Sequence, residues 1–141
     1  MALRVVGSIL TGASRSKFVD NIYMTDAEAA VVGTAYYLSS GRWTKSATTA
    51  AIEAICVKAA DAGTDVLTTM EIVKTGDIIE ADYTGTANAA FLPGLTVAVL
   101  DANGINVDAA TVSGGHVVIL EKDTVGLKVK MIARSNFTEA S

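Results

Sequence analysis

The feature that most constrains this sequence is how often a turn interrupts it. From Thr34 onward, glycine-bearing turn signals recur before most apolar runs reach helix length. Ser39-Ser40-Gly41, Thr75-Gly76-Asp77, Asn103-Gly104 and Gly114-Gly115 each stand between short apolar runs. Such runs read as strands, and several in succession read as a sandwich or barrel. Tyr36-Tyr37-Leu38 and Arg42-Trp43-Thr44 flank the first signal as a hairpin. From Val66 to Lys74 the residues alternate, with Val66, Thr68, Met70 and Ile72 on one face and Leu67, Thr69, Glu71 and Val73 on the other. Ile78 to Tyr83 follows as a strand. Asn103-Gly104, between Thr96–Leu100 and Ile105–Val107, predicts a hairpin whose tight turn takes the positive φ angles of type I′. His116 to Glu121 and Leu127 to Arg134 supply two more strands, the last with Leu127, Val129, Met131 and Ala133 on one face. Pro93 has no N–H to give to a ladder, so Phe91–Gly94 reads as a loop.

Two segments depart from this pattern. Ile52, Ile55, Cys56 and Ala59 follow helical spacing in an alanine-rich stretch, while Ile55 and Val57 also alternate as in a strand. Residues 1–33 have no sustained period. There, Thr25-Asp26-Ala27-Glu28 has capping-box spacing, compatible with one helical turn over Glu28 to Val32. The expected organisation is an N-terminal arm over 1–33 that gains order from contacts, and a β-rich body over 34–141. The fold class is mainly β: a small β-barrel or sandwich-like body with an extended arm and little helix.

Composition narrows the partners. The net charge of −4 argues against nucleic acid, whose phosphates need a basic field, and against an anionic membrane surface. Charged residues are 18 %, below the usual ~25 %. Half the residues are apolar, which fits either an exposed apolar interface or a well-filled Ala/Val-rich core. Cys56 is the one cysteine, so no internal disulfide forms, and its apolar neighbours point to a buried thiol. No apolar run approaches ~18 residues, and MALRVVGSIL lacks the long apolar region of a signal peptide. Synthesis in the cytoplasm is the expectation.

The residues that carry chemistry are few. His116 and Cys56 alone do not make a zinc site. Ser14-Arg15-Ser16-Lys17 and Lys74-Thr75-Gly76 match two motifs of penicillin-binding enzymes, but Ser-Asp-Asn is absent and the first match lies in an irregular segment. Asp101, Asn103, Asn106 and Asp108 surround Gly104, yet the glycine falls at the fourth position rather than the sixth of a calcium loop. Lys128, Lys130 and Arg134 form either a basic stripe or a solvated sheet face. Asn136-Phe137-Thr138 is a sequon without a signal peptide to use it. The reading is of a protein that is not an enzyme, with no catalytic, cofactor or metal residues.

Tyr37-Leu38-Ser39-Ser40-Gly41-Arg42-Trp43-Thr44-Lys45, the Thr- and Ala-rich stretch to Ile52, Ala54-Ile55-Cys56-Val57-Lys58-Ala59-Ala60-Asp61 and Val73-Lys74-Thr75-Gly76-Asp77-Ile78 resemble the head-decoration (cement) proteins of tailed bacteriophages, the lambda type among them. Gly94–Val97, Asp101–Gly104 and Val118–Lys122 resemble a wider group of phage capsid-associated β proteins. Together the resemblance spans residues 36–134, with a longer C-terminal half and a different arm. It implies a strand over Ile52 to Lys58. It also implies a β-barrel-like body on the outer capsid surface, often a homotrimer, that binds the major capsid protein of the expanded shell and resists internal DNA pressure. The 1–33 arm would then lie on the capsid protein and add a strand to a sheet edge. Val5, Ile9, Phe18, Ile22 and Tyr23 are its candidate anchors; the alternative is that they pack on the chain's own body. Rival readings are a tail-tube or head–tail joining protein, and a carbohydrate- or receptor-binding module using Trp43, Tyr36, Tyr37 and Tyr83.

Overall fold

The computed structural model describes residues 3–8, 17–46, 51–74, 76–87, 89–94, 99–101, 104–111 and 117–133. Among them are eleven strands and no helix, in two sheets whose pairs are antiparallel except for one. The architecture is all-β, a small sandwich.

The first sheet is built round β7 (Asp77–Thr84). Ile79, Ala81 and Tyr83 are buried, while Ile78, Glu80 and Asp82 are half-exposed. This is the period of a strand with one face on the core. Strand β11 (Lys128–Ala133) pairs along one edge of β7, and β10 (Val117–Asp123) pairs with β11. The other edge of β7 takes two partners end to end. Strand β1 (Arg4–Ser8) lies against Asp77–Glu80, and β9 (Val107–Asp108) runs parallel to Tyr83–Thr84. Strand β8 (Val99–Leu100) pairs with β9.

The second sheet has the order β2 (Phe18–Val19), β6 (Met70–Ile72), β5 (Ala54–Cys56), β3 (Ala35–Ser39), β4 (Arg42–Lys45). Its two outer strands are joined by the segment that follows β2. Tyr23 bridges to Leu67 and Met24 bridges in parallel to Trp43. The Met24 N–H donates to Val66 O at 2.8 Å, and the Trp43 N–H to Tyr23 O at 3.0 Å. The sheet therefore closes on itself as a small barrel.

Two cores result. Ala35, Ile55 and Val73 of the second sheet meet Ile79, Ala81, Tyr83, Ile119, Val129 and Met131 of the first. Met24, Tyr36, Trp43, Ala54, Cys56 and Met70 fill the barrel. Alternation along a strand sends neighbours to different cores, Ala35 to one and Tyr36 to the other. Full burial of a large apolar side chain contributes about 1.5–3 kcal/mol, so the barrel core is a substantial second source of stability.

This arrangement places a strand, β5, within the 52–59 segment, over Ala54–Cys56 alone, shorter than the Ile52–Lys58 strand expected. All three residues of β5 are buried because cores lie on both of its faces. A strand covered on both sides carries no polar alternation, so helical spacing there had no diagnostic value. The turn expected over Glu28 to Val32 is not helical. Ala27 takes φ 65, Ala30 bridges to Ala60, and the Tyr36 hydroxyl accepts from Val31 N and donates to Ala29 O, each at 3.0 Å. Tertiary bonds hold this stretch open where an isolated helical turn gains little. The Val66–Lys74 alternation yields a ladder only over Met70–Ile72.

The first hairpin forms on a two-residue loop, with Ser40 at φ 51 and Gly41 at φ 77. The β8–β9 hairpin also forms, but not on a two-residue turn. Asp101 N donates to Asn106 O at 2.8 Å, and the Asp101 carboxylate accepts Ile105 N and Asn106 N. The loop is wider because this carboxylate supplies the acceptors that a tight turn finds in its own backbone. Gly104 has φ 68, and its carbonyl accepts the Ala35 N–H at 3.0 Å, joining the turn to the barrel. Leu127 sits in the β10–β11 turn at φ 55 rather than in the strand. Thr96–Ala98, Asn103 and Arg134 lie outside the described residues. Among the described residues no helix is long and apolar enough to cross a membrane.

Candidate partner interface

The described residues of 1–33 are threaded into both sheets. Leu3 is buried in the main core and Met24 in the barrel. Of the five candidate anchors, Val5 packs against the main core and Ile22 against the barrel core. Ile9 lies outside the described residues. Phe18 is 56 % exposed and Tyr23 43 % exposed. Tyr23 is bridged to Leu67, itself 48 % exposed, and Phe18 stands further along the same pairing, opposite Glu71.

These side chains border one edge. Phe18 stands opposite Glu71 and Val19 opposite Met70, while Ile72 N donates to Lys17 O at 2.8 Å. In an antiparallel ladder hydrogen-bonded and non-bonded pairs alternate. Lys17–Ile72 is a bonded pair, so Phe18–Glu71 is not, and the Phe18 N–H and C=O point away from β6. Strand β4 begins only at Arg42, so its bonds to the closing segment start at Tyr23. Among the described residues, the edge at Phe18 thus offers a backbone donor and acceptor beside an exposed aromatic ring.

Arg42 fixes the seam below that edge. Its guanidinium donates to Met24 O at 2.9 Å, to Asp26 Oδ1 at 3.2 Å and to Asp65 Oδ1 at 2.5 Å. It also lies 5.3 Å from the centre of the Tyr23 ring. The hydrogen bond to Asp65 raises the Arg42 pKa further. Asp26 Oδ1 accepts the Asp65 N–H in turn, and the Thr25 and Thr44 hydroxyls bond across the seam at 2.8 Å.

Residues singled out for chemistry serve the scaffold. Cys56 is buried and donates from Sγ to Lys58 O at 3.1 Å, and burial pushes its thiol pKa up. A raised pKa suppresses the thiolate that a nucleophile needs. His116, Ser14 and Ser16 lie outside the described residues. Lys74 forms a buried ion pair with Asp77, Nζ to Oδ2 at 3.3 Å. Asp108 binds Ala110 N and the Thr111 hydroxyl at its own turn, as Asp101 does at the preceding one. Among the described residues no group of three His, Cys, Asp or Glu side chains is placed to hold a metal ion. Trp43, Tyr36 and Tyr83 are buried and present no stacking platform. Lys128 pairs with Asp82 at 3.0 Å and Lys130 with Glu121 at 3.6 Å, so these lysines belong to a charge-balanced sheet face.

Leu67 and Arg42 were not legible as site residues. Leu67 alternates with Thr69, Glu71 and Val73, a mixed face that does not mark the leucine as part of an exposed patch. Comparison with protein-family models, with curated proteins and with solved structures finds no match for this chain.

Proposed function

We propose that this chain is a structural virion protein of the head-decoration type. In this reading it associates as a homotrimer, binds the major capsid protein on the outer surface of an expanded phage head, and stabilises the shell against the pressure of packaged DNA. The resemblance over residues 36–134 and the all-β body support the reading. The observation that carries it is the Phe18 edge. The Phe18 N–H and C=O, which point away from β6, suit an extended strand of another protein, with the exposed Phe18 ring as an apolar contact and the exposed Tyr23 and Leu67 bridged further along. The edge on this chain receives the strand, and the capsid protein supplies it.

Stabilisation then follows from mass action. A protein that binds only the assembled shell stabilises it by about 2.7 kcal/mol per site at a hundredfold excess over Kd. Several contacts per trimer add avidity. Deleting residues 1–24 is not a usable test, because Leu3 and Met24 belong to the two cores. The test is co-sedimentation with empty expanded heads of the parent phage, comparing the intact chain with Phe18→Ser, which sets no charge opposite Glu71. The intact chain pellets with the heads, and Phe18→Ser, of similar stability to heat, binds at least about tenfold more weakly. Absence of the intact chain from the head pellet overturns the proposal. Tubes or rings formed by the protein alone would replace it with the tail-tube or joining reading.

A further inference from the structure

The outward face of the first sheet carries an ordered pattern across four strands. Arg4, Glu80, Lys130 and Glu121 stand side by side on β1, β7, β11 and β10, each the cross-strand partner of the next. Their charges alternate in sign. Arg4 binds Glu80 at 2.6 Å and Lys130 binds Glu121 at 3.6 Å. One row along, Asp82 stands opposite Lys128. One row the other way, Ile78 stands opposite Ile132, both half-exposed. A groove of ≈ 580 Å³ lies over Glu80, Lys128, Lys130 and Glu121.

We propose that this face docks against the same face of a second copy of the chain. Consider a two-fold axis lying in the interface, parallel to the strands and between β7 and β11. It exchanges β7 with β11 and β1 with β10 while preserving height along the strands. Glu80 then faces Lys130 of the second copy, Asp82 faces its Lys128, Arg4 faces its Glu121, and Ile78 faces its Ile132. Each of these six charges meets its opposite and the apolar row meets itself, as a self-complementary two-fold interface requires. A two-fold axis laid across the strands through the Glu80 row fails, since it sets Glu80 on Glu80 and Lys130 on Lys130. Sliding by one row sets the isoleucines against charges. The sequence pattern therefore selects both the axis and the register. Faces of twisted sheets cross at about 30°, so the match is closest at the axis, at Glu80–Lys130 and Asp82–Lys128, and loosest at Arg4–Glu121. The groove gives the long side chains of both copies room to interleave. In the intact pair each cross-strand ion pair becomes half of a four-charge checkerboard, with each charge beside two opposite ones.

The contact is independent of the Phe18 edge, which belongs to the other sheet, and its test uses no phage heads. Native mass is measured over a range of concentrations at low salt. The base unit, whether one chain or three, doubles as concentration rises, and added salt opposes the doubling. Lys130→Glu sets like charges together and weakens doubling roughly tenfold to a hundredfold. The decisive sample reverses the whole row: Arg4→Glu, Glu80→Lys, Lys130→Glu and Glu121→Lys together. It keeps every cross-strand pair of the row within the chain and remains self-complementary, so it doubles with itself. Mixed with the original chain it sets Glu80 against a glutamate and Lys130 against a lysine, so mixed pairs are depleted. No doubling of the original chain overturns the proposal, as does free mixing of the row-reversed variant with it. If Lys130→Glu fails to fold, the mixing experiment decides alone.

Discussion

The Gly104 carbonyl accepts the Ala35 N–H, so a turn of the first sheet is bonded to the first strand of the barrel hairpin. Two constraints meet at this residue. Its φ of 68 is the left-handed region, which costs an L-residue about 1–2 kcal/mol. A Cβ placed there would stand 2.7 Å from Ser46 O, and relieving such an overlap costs about 1–3 kcal/mol. Gly104→Ala should therefore lower stability by about 2–5 kcal/mol in urea unfolding, whereas Gly41→Ala meets only the left-handed cost, since nothing lies within 4 Å of its added Cβ. Cys56 offers a second test at this scale. Its thiol is buried and its pKa raised by that burial, so a thiol-reactive disulfide reagent should label it only as fast as the barrel opens. Immediate stoichiometric labelling of the folded chain would contradict the packing described for the barrel core.

Closure of the barrel depends on one short segment and one side chain. Arg42 ties Met24, Asp26 and Asp65 to β4, and no other described side chain spans that seam so widely. Arg42→Ala should raise amide hydrogen exchange at Trp43 and Thr25, whose N–H groups cross the seam, while Ile79 and Met131 in the first sheet stay protected. Elements closed by local turns were legible in the sequence. Ser40-Gly41 and the residues round Asn103-Gly104 marked both hairpins, though the Asp101 carboxylate widened the second in a way the dipeptide does not announce. The strands within residues 1–33 were not legible, whereas Ile78–Tyr83, whose partners are also distant, was. Arg4–Ser8 has no period because Val6 lies at a bulge and the strand spans five residues. Phe18 and Tyr23 stood out as apolar residues in a polar, aperiodic stretch. Arg42 did not, since its role exists only once residues 24, 26 and 65 converge.

The molecule as a whole should respond to pH at both ends. Burial raises the pKa values of both Cys56 and Tyr36, which share the barrel core. The folded chain holds these protons more tightly than the unfolded one. Stability from them is complete below the unfolded values, about 8.5 for the thiol and 10 for the phenol, and declines as pH rises past each toward its folded value. At the acid end the Gly126 and Val125 N–H groups, both bonded to Asp123, hold its carboxyl below its ordinary value. That contribution is present above about pH 3.9 and is lost as pH falls through the folded value. Urea midpoints measured across pH should fall on the alkaline side, and Cys56→Ser should remove the first part of that fall. The pairing of β1 with β7 has a further consequence, for synthesis. Arg4 meets Glu80 across 76 residues, and the closing segment at Tyr23 waits for both Trp43 and Leu67. Strands made early thus wait for distant partners: a growing chain carries Tyr23 without its Leu67 bridge, Phe18 without Glu71 and Val5 without Ile79 until those residues are made. In a crowded polysome a neighbouring nascent chain can offer the same β7 edge, and strand exchange there would produce entangled pairs that no later dilution separates.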